Sequence, residues 1–278
     1  YHINYTNMLS SQNLLKRTVL SILSIVVVGF LLVSCSPKPG KGFNLFSIED
    51  EKTLGEQVRT EIESNPKEYP ILSEQNNAEV YEYIRGLSNS IVNSGKLSHR
   101  NEFAWEVKII KDDETLNAFC TPGGYIYVYT GLIKFLDSED ELMGVLGHEI
   151  AHADLRHSTR QLTKIMGLQV LLSVVSGNSD PSMMEQIALA LTSLKFSRTH
   201  ETEADEHSVH YLCNSGYNAA GAAGFFEKLQ GSSTPPEFIS THPDPGNRVE
   251  NIHLKEQEMG CKGRNTNVAR YTKMKKLL

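Results

Sequence analysis

The sequence predicts an α+β domain, mainly helical with a small sheet, on three observations. Apolar residues recur at helical spacing over several long stretches, two short runs between them are rich in strand formers, and a Gly-Gly pair stands before the second run. Composition agrees: 278 residues, 40% hydrophobic, with 27 Lys+Arg against 33 Asp+Glu and a net charge of -6, is ordinary globular chemistry. It argues against disordered, collagen-like and multi-spanning membrane classes, and the acidic balance argues against a nucleic-acid partner. Neither an internal repeat nor a second linker divides the chain beyond its first segment, so one domain is expected.

Residues 1–34 read as a leader. Residues 1–7 lie upstream of Met8; Lys16 and Arg17 then precede an almost uncharged apolar run from Thr18 to Val33, which closes on Leu32-Val33-Ser34-Cys35. A charged segment, a short apolar segment and small residues before Cys resemble the bacterial lipoprotein signal, in which the Cys thiol receives diacylglycerol and cleavage makes it the new N-terminus. The run falls short of the roughly 18 to 20 apolar residues that span a bilayer comfortably, so a lipid anchor at Cys35 is preferred to a transmembrane one. Residues 35–47, opening Cys-Ser-Pro-Lys-Pro-Gly-Lys-Gly, read as a flexible linker. Ser36 rather than an acidic residue follows the anchor, which by the enterobacterial sorting rule points to an outer membrane, facing the periplasm. Such a compartment is oxidising.

The domain is expected over residues 48–260. Its first helix starts near Ile48, places Leu54, Val58 and Ile62 on one face, and ends at Asn65-Pro66. A second covers Ala78 to Val92 on Val80, Ile84, Leu87 and Ile91. Phe103 to Ile110 and Tyr125 to Tyr129 read as strands, with Gly123-Gly124 as the turn before the latter. Ser138-Glu139-Asp140-Glu141 fits a capping box, and Leu142, Val145, Leu146 and Ile150 carry a helix through residue 152. Ile165 to Val175 is apolar but interrupted by Gln169 and short for a membrane span; a core helix or a cover over a cleft is expected. Val209, Leu212 and a closing Gly216 mark a later helix. Residues 261–278 hold Lys262, Arg264, Arg270, Lys273, Lys275 and Lys276 with no acid, and read as a solvated basic tail.

The chemistry centres on His148-Glu149-Ile150-Ala151-His152. On a helix, residues 148 and 152 face the same way, so two imidazoles can bind one zinc ion, while Glu149, about 100° round, can reach a metal-bound water from the side. A third ligand is needed. Leu155 and Ser158 stand where a metzincin would have Gly and His, which leaves a distant carboxylate. In Ser197-Arg198-Thr199-His200-Glu201-Thr202-Glu203-Ala204-Asp205, Glu201 and Asp205 share a helix face, so Glu201 can complete a His-His-Glu site and Asp205 can orient a ligand His through its outer nitrogen. Glu203 points about 200° away and is not expected to reach the metal. Of the remaining cysteines, Cys213 and Cys261 are the preferred pair to close in an oxidising compartment.

Together with Asn117-Ala118-Phe119, Pro122-Gly123-Gly124, Thr241-His242-Pro243 and Arg248, these motifs occur in an order that resembles the gluzincin family of CAAX prenyl proteases, heat-shock membrane proteases and their periplasmic relatives. The resemblance covers about residues 48 to 255. It implies that Glu201 is the third zinc ligand, that His242 and Arg248 lie near the active site, with His242 stabilising the developing oxyanion or approaching the zinc, and that Asn117, Ala118 and Phe119 begin an edge strand to which a peptide adds. Arg248 has a second reading, fixing its loop by pairing with a carboxylate. Cys120 departs from the small apolar residue expected beside that strand.

The combined expectation is a zincin-type metallopeptidase, mainly helical with a small sheet lining the cleft, with one zinc on His148, His152 and Glu201 and with Glu149 and His242 catalytic. Its expected substrates are misfolded or unassembled proteins of the bacterial envelope. The rivals are an envelope chaperone that binds through the cleft and rarely cuts, which has no need of Glu149, and a zinc hydrolase of non-peptide substrates. Cys35→Ala is expected to release or mislocalise the protein on membrane fractionation; wild-type processing and fractionation of that variant would refute the lipid anchor.

Overall fold

Ser47 opens the first helix through a reciprocal cap: the Asp50 N–H donates to its hydroxyl at 3.1 Å while the Ser47 N–H donates to the Asp50 carboxylate at 2.7 Å. The helix, α1 (Ile48–Ser64), buries Leu54, Val58 and Ile62 and stops at Asn65 before Pro66, while α2 (Ala78–Val92) buries Val80, Ile84, Leu87 and Ile91, both as their periodicity dictates. The structure is a computed structural model and describes residues 43–278 apart from 179, 231–236 and 245. The leader, the Cys35 anchor and most of the linker therefore lie outside the described residues, and residues 44–278 form one unit.

Between the helices lies a sheet of order β1-β3-β2, made of β1 (Glu106–Ile110), β2 (Ala118–Thr121) and β3 (Tyr125–Tyr129). β1 runs parallel to β3, and β2 antiparallel to it. The hairpin joining β2 to β3 turns through Pro122–Gly124, where Gly123 (φ 77°) and Gly124 (φ 85°) adopt the left-handed conformation that side chains resist. β1 starts three residues later than the alternation suggests, because Trp105 sits at φ 51° and breaks the extended run. Both faces of the sheet are covered: Val107, Ile109, Ile126 and Val128 join the larger core with α2, whereas Ile110, Phe119 and Tyr127 join a second core with Val58 and Ile62 of α1. A sheet covered on both sides reads as an apolar run rather than as strict alternation.

After α3 (Thr130–Phe135), helix α4 (Glu139–Asp154) runs through the larger core with nearly every residue buried. The expected capping box at its start does not form. Glu141 instead accepts from the Asp137 N–H at 2.8 Å, the Ser138 hydroxyl turns to Asp140, and buried Glu139 accepts from Tyr83, Tyr217 (2.5 Å) and Asn267 (2.8 Å). At its far end Asp154 accepts from the N–H groups of Ser98 (3.0 Å) and His99 (2.7 Å) and from the Tyr211 hydroxyl (2.8 Å), which fixes the helix axially. A left-handed Arg156 (φ 62°) then folds the chain back into α5 (His157–Ile165). The apolar stretch from Ile165 breaks at Met166-Gly167 before α6 (Leu168–Val175), and α7 (Pro181–Thr192) packs against α1 and β2. Among the described residues no helix is long and apolar enough to cross a membrane.

α8 (Arg198–Leu212) and α9 (Gly221–Gln230) pack against α4, followed by the short α10 (Glu237–Thr241), then α11 (Arg248–Glu258) and α12 (Val268–Lys275). Cys213 and Cys261 form a disulfide, as preferred from the sequence, and Cys120 is a buried free thiol. The basic end differs from a free tail: α12 buries Tyr271 and Met274, and the Tyr271 hydroxyl donates to Ile133 O at 2.7 Å, although Lys262, Arg264, Arg270, Lys273 and Lys276 remain exposed.

The α4–α9 contact depends on absent side chains: a Cβ at Gly144 would lie 2.1 Å from the Ala222 backbone nitrogen. Gly144→Ala is therefore expected to destabilise the fold by about 1–3 kcal/mol through overpacking, read as a lowered urea midpoint. An unchanged midpoint would show that the two helices are not in contact there.

Candidate metal centre

Three elements converge on one buried point. α4 supplies His148, Glu149 and His152, α8 supplies Glu201 and Asp205, and His242 follows α10. The helix period brings His148 Nε2 and His152 Nε2 to 3.0 Å from each other. Glu201 spans the pair, with Oε2 3.4 Å from His148 Nε2 and Oε1 3.5 Å from His152 Nε2. His242 Nδ1 stands 3.3 Å from His148 Nε2 and 3.3 Å from Glu201 Oε1. Ligand atoms of His148, His152, Glu201 and His242 all lie within 4.8 Å of one another. Their exposures are 0%, 0%, 0% and 1%, so no substrate reaches them in this arrangement.

Proton placement shows why a cation fits. The outer nitrogen of His148, Nδ1, lies 2.8 Å from Asp205 Oδ1, and a carboxylate can only accept, so Nδ1 carries the proton and the Nε2 lone pair faces inward. His152 Nδ1 is likewise engaged from outside, by His157 Nδ1 at 2.9 Å. The His148 lone pair thus converges with His152 Nε2 and with a carboxylate whose Oε1 has no hydrogen-bond partner. Imidazole and carboxylate donors in this number suit zinc.

Charge balance is set by Arg248, the first residue of α11. Its Nε donates to Asp205 Oδ2 at 2.7 Å, and its Nη2 donates to Asp205 Oδ1 at 2.8 Å and to Glu201 Oε2 at 3.0 Å, while its guanidinium lies 3.8 Å from the centre of the Phe226 ring. Although burial opposes the ionised forms, the two carboxylates raise the Arg248 pKa above its ordinary value, and His242 and His148 hold Glu201 well below the usual carboxylate range. Burial, followed by the charge of His148, pushes His152 well below an ordinary imidazole. Burial also pushes Glu149 up to about 7, and both of its oxygens lack hydrogen-bond partners. Cys120 on β2 is buried beside it, and burial together with the Glu149 charge keeps the thiol protonated.

The structure brings together His148, Glu149, His152, Glu201, Asp205 and His242 as the sequence suggests, and Glu203 stays off the cluster. Arg248 lies at the cluster and pairs with two carboxylates, Asp205 and Glu201, which is compatible with both of its readings. Asn117, Ala118 and Phe119 are buried; Asn117 accepts from the Tyr129 N–H at 3.1 Å, Phe119 stacks on Tyr127, and β2 has a strand neighbour on one side only. His157, five residues past His152, went unnoticed in the sequence because its contact depends on the Arg156 turn.

The fold and this site define a zinc metallopeptidase. Residues 74–256 match peptidase family M48, and the chain belongs to that family. It is 34% identical over 148 residues to the mitochondrial metalloendopeptidase OMA1 of Arabidopsis thaliana, covering 52% of this chain and 30% of that one. It is 29% identical over 231 residues to the beta-barrel assembly-enhancing protease of Yersinia pestis (77% and 45%) and 28% identical over 222 residues to the mitochondrial metalloendopeptidase OMA1 of Schizosaccharomyces pombe (76% and 62%). The matched region thus spans less than two thirds of each of these relatives.

Arg248→Ala would leave Asp205 and Glu201 buried without their cation. It is expected to lower the stability of chelator-treated protein by about 3–5 kcal/mol in urea denaturation, with added zinc recovering part of the loss. An unchanged midpoint would mean that the carboxylates do not depend on Arg248.

Proposed function

We propose that the chain is an endopeptidase in which His148, His152 and Glu201 hold the zinc ion and Glu149 moves the proton. One observation carries this reading: a carboxylate with no hydrogen-bond partner, raised to about 7 by burial, stands beside a converging His-His-Glu set. Zinc held there supplies a Lewis acid that polarises a peptide carbonyl and lowers the pKa of water. Glu149 accepts a proton from the water that adds to the peptide carbonyl and returns it to the amine as the C–N bond breaks, a role suited to a carboxylate near neutrality. Asp205 keeps His148 in its ligating tautomer, and Arg248 pairs with Asp205 and Glu201 and holds both carboxylates in place.

His242 is the fourth member of the cluster, and its Nε2 lies 3.6 Å from Glu149 Oε1, which supports reading this arrangement as a closed resting state. Opening withdraws His242 from the ligands and leaves its imidazole free to stabilise the developing oxyanion. A peptide then adds alongside β2 at Asn117, Ala118 and Phe119, with backbone pairing giving weak sequence selectivity.

For substrates, unfolded or unassembled proteins of the bacterial envelope fit best, with the chain lipid-anchored through Cys35 at an outer membrane facing the periplasm. The likeness to proteases named for enhancing beta-barrel assembly supports this, as do the lipoprotein-like leader and a disulfide that suits an oxidising compartment.

Three substitutions test the assignment on unfolded protein substrates. Glu149→Gln keeps the shape but cannot accept a proton, so it is expected to retain about one zinc per chain and lose cleavage by 10²-fold or more. Glu201→Gln is expected to lose zinc affinity as well. His242→Ala is expected to keep zinc and cleave more slowly, by loss of its oxyanion contact; cleavage at or above the wild-type rate would remove His242 from catalysis. Cleavage by Glu149→Gln at the wild-type rate would overturn the mechanism.

A further inference from the structure

The two histidines of α4 are supported in different ways. His148 meets a carboxylate directly, with Nδ1 2.8 Å from Asp205. His152 meets a second imidazole, His157 Nδ1, at 2.9 Å, and the other nitrogen of that ring, Nε2, lies 3.0 Å from Glu203 Oε2. The direction of this chain follows from donor and acceptor capacity. Ionised Glu203 only accepts, so His157 Nε2 carries the proton; a neutral His157 then presents the Nδ1 lone pair, which accepts from the Nδ1–H of His152. His152 Nε2 is left without a proton, aimed at the cluster.

The reverse order does not serve the site, because a proton on His157 Nδ1 forces the His152 proton onto Nε2, where it faces His148 Nε2 at 3.0 Å and occupies the ligating lone pair. One carboxylate two rings away therefore sets the tautomer. The rings cannot easily turn out of line. Phe196 stacks on His152 with centroids 3.9 Å apart, and His200 stacks on His157 at 4.3 Å and 10°. The Arg156 turn that folds His157 back is itself pinned, its Nε donating at 2.6 Å to Glu51, which is 1% exposed and also accepts from Asn44 at 3.2 Å.

We infer that Glu203 and His157 are positioning residues that hold His152 as a zinc ligand, an inference that rests on the zinc reading above. Glu203 is not inert merely because it points away from the metal: it acts through His157. Its side chain is 30% exposed, so its replacement leaves little buried space and the fold should survive.

The test measures zinc affinity by chelator competition on the full-length metal-free chain, with the cobalt-loaded absorption spectrum as a second readout. Glu203→Ala and His157→Phe are each expected to weaken zinc binding about 10- to 100-fold and to shift the cobalt bands. Glu203→Gln, which keeps an acceptor oxygen for His157, is expected to recover part of the loss. The double variant is expected to bind no more weakly than His157→Phe alone, since Glu203 acts only through that ring. Glu206→Gln, from the exposed pair with Lys255, is expected to match wild type. Wild-type affinity and spectrum in Glu203→Ala, or additive losses in the double variant, would overturn the relay alone. A wild-type chain that binds no zinc would overturn both the relay and the zinc reading.

Discussion

Two imidazole nitrogens held 3.0 Å apart in a buried region repel unless a cation or a proton lies between them. Much of the fold answers to that constraint. α4 is buried along its length so that His148 and His152 stay in register; α8 lies against it so that Glu201 faces the pair; α11 points Arg248 at the two carboxylates that would otherwise be buried anions. The interactions are interdependent, because a buried charge that loses its partner is far more costly than a pair that was never formed.

The small sheet serves the same site by a different route. β2 packs on α4 and brings Cys120 beside Glu149 in surroundings that raise both groups. With apolar side chains on both faces it is a buried wall rather than a solvated ribbon, and among the described residues no strand pairs with β2 on the side away from β3. β2 and β3 are neighbours in the sheet as well as in sequence, and the Gly123-Gly124 turn is what joins them.

Much of this was legible in the residues because the signals were local. Helix periods at Val80, Ile84, Leu87 and Ile91, the Pro66 stop, the four-residue spacings His148 to His152 and Glu201 to Asp205, and the strand run Tyr125 to Tyr129 each state their geometry within a few positions. What was not legible depended on distant partners. Ser138 and its acidic neighbours look like a capping box, yet Tyr83, Tyr217, Asn267 and Asn218 claim Glu139 and Asp140. Trp105 and Arg156 take left-handed backbone that nothing in their side chains announces, and the second of these hides His157 from any reading by helical spacing. The angle of Glu203 on the helix points it away from the cluster, but an angle does not say what lies on the other side, which is His157.

The Cys213–Cys261 bridge, with its two Cα atoms 4.9 Å apart and 48 residues between them in sequence, encloses α9, α10, His242 and Arg248. Both the group that fills the fourth place and the group that neutralises the carboxylates thus belong to a closed ring of chain. Fastened at its feet, such a ring has less entropy to gain on unfolding than an open segment of the same length. The bridge therefore ties the segment that carries His242 and Arg248 to the end of α8, the helix that supplies Glu201 and Asp205.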